Sequence, residues 1–254
     1  VMPSIFAGRI NSYNRKWKDR CMAHERAGLV ALESDLIDVD AVLAAYYDLT
    51  PDPSNPDQKV VFGTSGHRGS SLDTAFNDLH IAATTQAIVE YRAVQGVNGP
   101  LFIGKDTHAL SLPAWRTAIE VLVANGVAVF AEREDEYTPT PAVSRAIIRY
   151  NREHPKQVAD GIVVTPSHNP PRDGGFKYNP PTGGPADTDA TKWIAARANE
   201  YIKAGLKGVK RVPFERARKQ ARPYDYLGTY VDDLPNVLDL DAIRNAGVRI
   251  GADP

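Results

Sequence analysis

The chain has 254 residues, 43% of them hydrophobic, with a formal net charge of −1, which suits a globular protein of one large or two modest domains and excludes the basic imbalance of a nucleic-acid binder. The lone cysteine, Cys21, excludes a disulfide within the chain and fits a reducing compartment, so a cytoplasmic location is expected. No apolar run approaches the roughly 20 residues that cross a bilayer, and the N-terminus lacks an apolar signal core, so neither a membrane partner nor export is expected.

Residues 1–21 carry Arg9, Arg15, Lys16, Lys18 and Arg20 against the acid Asp19 and read as a disordered extension ahead of a start at Met22. Residues 22–55 form an N-terminal helical segment on the pattern DVDAVLAAYYDL, followed by the proline-rich loop TPDPSNPD (50–57). The body of the protein, residues 56–205, opens on the strand-like KVVF. Helix and strand patterns then alternate: FNDLHIAATTQAIVEYRAVQG (helix), PLFIG (strand), SLPAWRTAIEVLVANG (helix), VAVFAE (strand), PAVSRAIIRYN (helix), GIVV (strand) and TDATKWIAARANEYIKAG (helix). Ser111 is a predicted N-cap and Gly126 a predicted helix stop. This order predicts a three-layer α/β/α domain whose mixed, largely parallel sheet is covered by helices. Sites in such sheets lie in loops beyond the carboxyl ends of strands, and GTSGHRGS, KDTHALS, YTPTPA and TPSHNPP all follow predicted strands.

Lys203, Lys207, Lys210, Arg211, Arg216, Arg218, Lys219 and Arg222 face only Glu215 between 203 and 222. With a balanced net charge and no aromatic platform, this run reads as a solvated linker (206–223) rather than a nucleic-acid patch. YDYLGTYVDDL and LDAIRNAGVRIGAD predict a helix, then a further helix and strand, the opening of a second, similar domain over 224–254. The end at Asp253-Pro254, directly after a predicted strand, reads as a truncation.

GTSGHRGS combines glycines that let backbone N–H groups approach an anion, hydroxyls that donate hydrogen bonds, and Arg68, a charged fork suited to phosphate. It is neither a P-loop nor a dinucleotide fingerprint. In TPSHNP, Ser167 is open to three readings. A hydrolase serine needs a base in reach, and His168 is its neighbour in an extended segment, where adjacent side chains point apart; a G-x-S-x-G elbow is also missing. A turn residue between prolines is the plainest reading. A phosphoryl carrier is the third, with His168, Asn169 and Lys177, beyond an Asp173-Gly174-Gly175 turn, as surroundings for its charge. Asp106 and His108 of KDTH read as hydrogen-bonded loop residues, and Thr-Pro-Thr-Pro as a helix entry.

Taken together, FGTSGHRGS, GKDTHALS, TPTPAVS, DGIVVTPSHNPP, DGGFKYNPP and GGPADT resemble the N-terminal part of the bacterial phosphoglucomutases, in the α-D-phosphohexomutase superfamily. The resemblance runs from about Met22 to the chain end. It implies an isomerase of the intramolecular phosphotransferase class that interconverts glucose 1-phosphate and glucose 6-phosphate, with mannose or glucosamine phosphates as the alternative substrates. Ser167 is then the phosphoserine, Mg2+ sits on its oxygen, and glucose 1,6-bisphosphate is the intermediate and activator. Lys177, Arg68 and His168 join Ser167 in catalysis, while Thr64, Ser65, His67, Arg68, Asn169 and Lys177 meet the phosphorylated hexose. The superfamily's second-domain metal loop, third-domain sugar loop and fourth-domain phosphate loop have no counterpart in these residues. The chain by itself is therefore expected to have little mutase activity, behaving as a non-catalytic phosphosugar-binding fragment.

Overall fold

In the computed structural model, residues 26, 28–63, 66–133 and 135–252 are described. The extension expected over 1–21 lies outside them. The chain divides after Ile37. The first unit contains a 3-10 turn at Glu33–Asp35, with Arg26 paired to Asp35 at 2.9 Å.

The second unit begins at Asp38, whose carboxylate accepts from Ala41 N and caps helix α1, Val39–Asp48. Then follow β1 (His67–Ser70), α2 (Asp78–Val94), β2 (Leu101–Lys105), α3 (Ser111–Ala124), β3 (Val129–Ala131), α4 (Thr140–Glu153), β4 (Asp160–Val164), β5 (Asp173–Asn179), α5 (Thr188–Lys203), α6 (Phe214–Arg218), β6 (Arg222–Pro223), α7 (Tyr226–Asp233) and α8 (Leu240–Asn245). The strands form one six-stranded sheet in the order β1-β5-β4-β2-β3-β6. Pairs β4-β2, β2-β3 and β3-β6 are parallel, whereas β1-β5 and β5-β4 are antiparallel.

Strand alternation explains the layers. Leu101, Ile103, Ile162, Val164, Phe176 and Tyr178 turn to one face, where they pack with α2, α3 and α5, including Ile81, Ile88, Ile119 and Ile194. Phe102 and Val163 turn to the other and meet Val143 and Ile147 of α4 and Tyr226 of α7. The predicted three-layer α/β/α architecture is what forms, with helices on both faces of a mixed sheet. Among the described residues, buried charges face each other in the pairs Arg92–Asp160 and Lys105–Glu132. Arg92 Nε lies 2.9 and 2.8 Å from the Asp160 carboxylate oxygens, its Nη2 donates to Gly99 O at 2.6 Å, and Tyr178 Oη donates to Asp160 Oδ2 at 2.8 Å.

Several local expectations change. KVVF is not a strand: Val60 is buried but Val61 is exposed, and only an isolated bridge from Phe62 to His67 remains. The first strand is instead the second half of the glycine motif. Asp173-Gly174-Gly175, read as a turn, opens β5, and its glycines are the positions at which neighbouring groups press on the strand. The expected linker 206–223 packs on the body. Val209, Val212 and Phe214 lie against the core, Ala217 is buried within it, and β6 adds an edge strand ending in proline. Arg211 of this run bridges Asp78, at 2.5 and 2.8 Å, and Glu120. The helix expected from YDYLGTYVDDL forms as α7, with Tyr226 Oη donating to Ile103 O and Phe130 O. The final expected strand does not form: residues 247–252 lack regular structure and Val248 and Ile250 are exposed.

Candidate active site

Strands β2 and β4 run side by side, with Lys105 opposite Val164, so the segments leaving their carboxyl ends emerge together. Asp106 N donates to Val164 O at 3.0 Å and ties the two. The Asp106 carboxylate accepts from His108 N (3.0 Å) and from Ser111 Oγ (2.5 Å), and its Oδ2 lies 2.9 Å from His108 Nδ1. Ser111 is therefore the first helical residue and a donor to Asp106, not an N-cap; Leu110 holds that position. The other ring nitrogen, His108 Nε2, lies 3.2 Å from the carbonyl of Asn169 in the loop after β4.

Thr138 N donates to Lys105 O at 2.9 Å, bringing the third loop alongside. Its Thr-Pro-Thr-Pro run serves as the entry to α4, with Pro139 at the N-cap. Lys105 is buried between the rings of Trp115 and Tyr137 and faces Glu132 Oε1 at 3.3 Å. Burial pushes the Glu132 carboxyl up to about 7, against the pull of Lys105.

Ser167 follows the buried pair Thr165 and Pro166 and is itself exposed. Its φ is +72°, in the left-handed region, which for a residue with a Cβ costs on the order of 1–3 kcal/mol. The surroundings hold it there. Thr165 Oγ1 accepts from Ser167 N at 2.9 Å, and the backbone of Thr165 and Pro166 lies directly on Gly175, where an added Cβ would sit 2.2 Å from Thr165 O and 2.6 Å from Pro166 Cα. Farther along the loop, Asn169 Nδ2 donates to Asp173 Oδ2 at 3.0 Å, and Arg172 pairs with Asp73 at 2.5 Å. The left-handed turn also corrects the geometry expected for His168. Extended alternation is broken, and Ser167 Oγ lies 3.3 Å from His168 Nδ1, a long contact on an exposed ring.

Arg68 of β1 stands opposite Gly175 of β5, and Lys177 lies two residues farther on, so both cations project from the same face, the one onto which the Ser167 loop folds. Arg68 is exposed and Lys177 half-buried. Burial lowers the Lys177 amine from its ordinary range, Arg68 lowers it further, and Asp106 opposes them. Gly66 makes the approach possible, since a Cβ there would lie 2.7 Å from Lys177 Cγ. The cluster thus combines an exposed hydroxyl, a fixed cation and an amine whose charged form is disfavoured by burial and by Arg68.

The first loop divides. Thr64 and Ser65 lie outside the described residues. His67, expected to meet the hexose, is only 1% exposed. It stacks on Phe76 (5.7 Å between centroids) beside His80 (5.4 Å) and contacts Val61 through Nδ1, so it packs the base of the loop and has no surface to offer a substrate. Burial, reinforced by His80, lowers it from 6.5 to about 3. The native state holds it neutral, so its contribution is complete above about pH 6.5 and is lost as pH falls toward 3. At pH 4.5 the loss from His67 is about 2–3 kcal/mol. Urea midpoints at pH 7 and 4.5 should therefore differ less in His67→Phe than in the native chain; an equal difference in both would remove His67 as the cause.

Sequence reasoning missed Thr165 and Gly175 as determinants of the serine's pose. A hydroxyl two residues before the serine is a recognised local hydrogen-bonding pattern and was the available signal; the crossing over Gly175 had none.

Residues 59–204 match the family model "Phosphoglucomutase/phosphomannomutase, alpha/beta/alpha domain I". Among curated relatives, a phosphoglucomutase from Komagataeibacter xylinus is 57% identical over 221 residues, covering 86% of this chain and 40% of the relative. A phosphoglucosamine mutase from Synechococcus sp. (strain RCC307) is 30% identical over 197 residues, covering 76% and 37%. The crystal structure of pp63/parafusin from Paramecium shares the fold, with a TM-score of 0.60 at 22% identity over 77% of this chain and 37% of that one. The chain spans about two fifths of the length of the first of these relatives and a little less of the others. With the match running from before β1 through α5 and taking in Arg68, Ser167 and Lys177, the chain belongs to the phosphoglucomutase/phosphomannomutase family and contains its α/β/α domain I.

Proposed function

We propose that this chain carries the phosphoryl-donating site of a phosphoglucomutase that interconverts glucose 1-phosphate and glucose 6-phosphate in the cytoplasm. The observation that carries the reading is the 57% identity to a phosphoglucomutase over 221 residues, against 30% over 197 residues to a phosphoglucosamine mutase.

In this reading Ser167 is a phosphoserine. The bond from phosphorus to Ser167 Oγ breaks as one forms to a free hydroxyl of the hexose monophosphate, giving glucose 1,6-bisphosphate, and the other phosphoryl group later returns to Ser167. The attacking hydroxyl must lose a proton and the freed Ser167 Oγ must regain one: Lys177, whose charged form burial and Arg68 disfavour, takes the first, and solvent at the exposed Ser167 supplies the second. Arg68 stabilises charge on the transferring group, which in phosphoryl transfer is the dominant requirement. His168 and Asn169 shape the loop. Magnesium belongs to the same proposal, but the described residues supply only one oxygen toward it, that of Ser167, and contain no group of three or more His, Cys, Asp or Glu side chains able to hold a metal. Among the described residues no helix is long and apolar enough to cross a membrane.

Incubation of the full-length protein with glucose 1,6-bisphosphate should add one phosphoryl group at Ser167, read by intact mass and peptide mapping. Ser167→Ala should gain none and should lose turnover of glucose 1-phosphate by at least about 1,000-fold. A native protein that stays unphosphorylated at Ser167 overturns the reading. Parallel assays with mannose 1-phosphate and glucosamine 1-phosphate decide the sugar.

A further inference from the structure

The Asp106 and His108 pair lies beside the proposed chemistry, and neither residue has a part in it so far. Asp106 is anchored at the rigid start of α3 by Ser111 Oγ, and its Oδ2 faces His108 Nδ1 at 2.9 Å. The ring's other nitrogen faces Asn169 O at 3.2 Å, across 61 positions of sequence. Both partners are acceptors, so the ring holds the two at once with a proton on each nitrogen, Nδ1 donating to Asp106 and Nε2 to Asn169 O. His108 is thus a strut from a helix start to the main chain two residues past Ser167. The ring is well covered, its side chain 16% exposed, while the loop backbone it holds carries the exposed Ser167 and His168.

We propose that His108, oriented by Asp106, is a positioning residue for phosphoryl transfer at Ser167, acting by holding the Asn169 carbonyl and with it the loop that presents the serine. This rests on the reading of Ser167 as the phosphoryl carrier. In-line transfer is sensitive to small displacements of the reacting oxygen, so a loosened loop lowers the rate of transfer more than the affinity for the sugar.

Two substitutions separate the strut from its anchor. His108→Asn keeps an amide where Nδ1 faced Asp106 but is too short to meet Asn169. His108→Gln extends an amide donor to the place of Nε2. In the full-length protein, phosphorylation of Ser167 by glucose 1,6-bisphosphate should fall roughly 10-fold or more in kcat for His108→Asn, with KM within about twofold. His108→Gln should return to within about threefold of native. Hydrogen exchange at the His168 and Asn169 amides should quicken in His108→Asn and not in His108→Gln. Equal transfer rates in the native protein and His108→Asn, or no difference between the two variants, overturn the proposal. Absence of phosphate from native Ser167 overturns the underlying reading and the positioning role together; faster exchange in His108→Asn would then leave His108 as a structural clamp only.

Discussion

Gly175→Ala is expected to slow phosphoryl transfer to Ser167 by roughly 100-fold while leaving a folded protein. An alanine methyl there has nowhere to go: its nearest neighbours are the backbone O and C of Thr165, at 2.2 and 2.5 Å, and Pro166 Cα at 2.6 Å. Backbone does not swing aside as the end of a long side chain does, so the loop must lift off β5, carrying Ser167 away from the face that bears Arg68 and Lys177. Overpacking of this kind costs about 1–3 kcal/mol, enough to lower the melting temperature by several degrees without unfolding the domain. Gly184→Ala is the control, because a Cβ at that position meets nothing within 4 Å. Unchanged transfer in Gly175→Ala would show that the loop is free to shift without consequence.

The second large effect is one of stability. Asp160→Ala is expected to cost about 3–5 kcal/mol, because it strands Arg92, whose side chain is 6% exposed, without the carboxylate that balances it. The melting temperature should fall by roughly 10 °C or more. Burial alone drives the Asp160 carboxyl upward, and the Arg92 guanidinium and the Tyr178 hydroxyl oppose that rise, so the pair survives only as a pair. Replacing both ions, as Arg92→Met with Asp160→Leu, should recover a large part of the loss, since well-packed apolar groups often match a buried ion pair. A single substitution that costs under about 1 kcal/mol in a urea titration would refute the assignment.

The layered fold was legible because its helices keep their apolar period: α2, α3 and α5 were each marked by residues that later proved buried. Errors came where tertiary contacts decide. Lys59, Val60, Val61 and Phe62 have strand-forming composition, yet the chain bends before it can pair, and Val61 is left exposed. Gly174 and Gly175 resemble a turn, yet they sit inside β5 because the Phe76 ring and the Thr165 backbone occupy the space of their missing side chains. In 206–223 the basic residues suggested solvent, while Val209, Val212, Phe214 and Ala217 were spaced to grip the core. At the site, the prolines and hydroxyls of TPSHNP singled out Ser167 but left its role open among three readings. Its left-handed backbone, the Thr165 hydrogen bond and the convergence with Lys177 depend on strands distant in sequence, and no local pattern announces them.

The conformation of Ser167 bears on how this position evolves. At φ +72° a glycine would sit with less strain, so the serine is retained against the preference of the backbone. In a lineage released from the need for a hydroxyl, drift at residue 167 would run downhill, each step toward glycine making the domain sturdier as it becomes inert. Serine at that position therefore gives up local stability for the hydroxyl it presents.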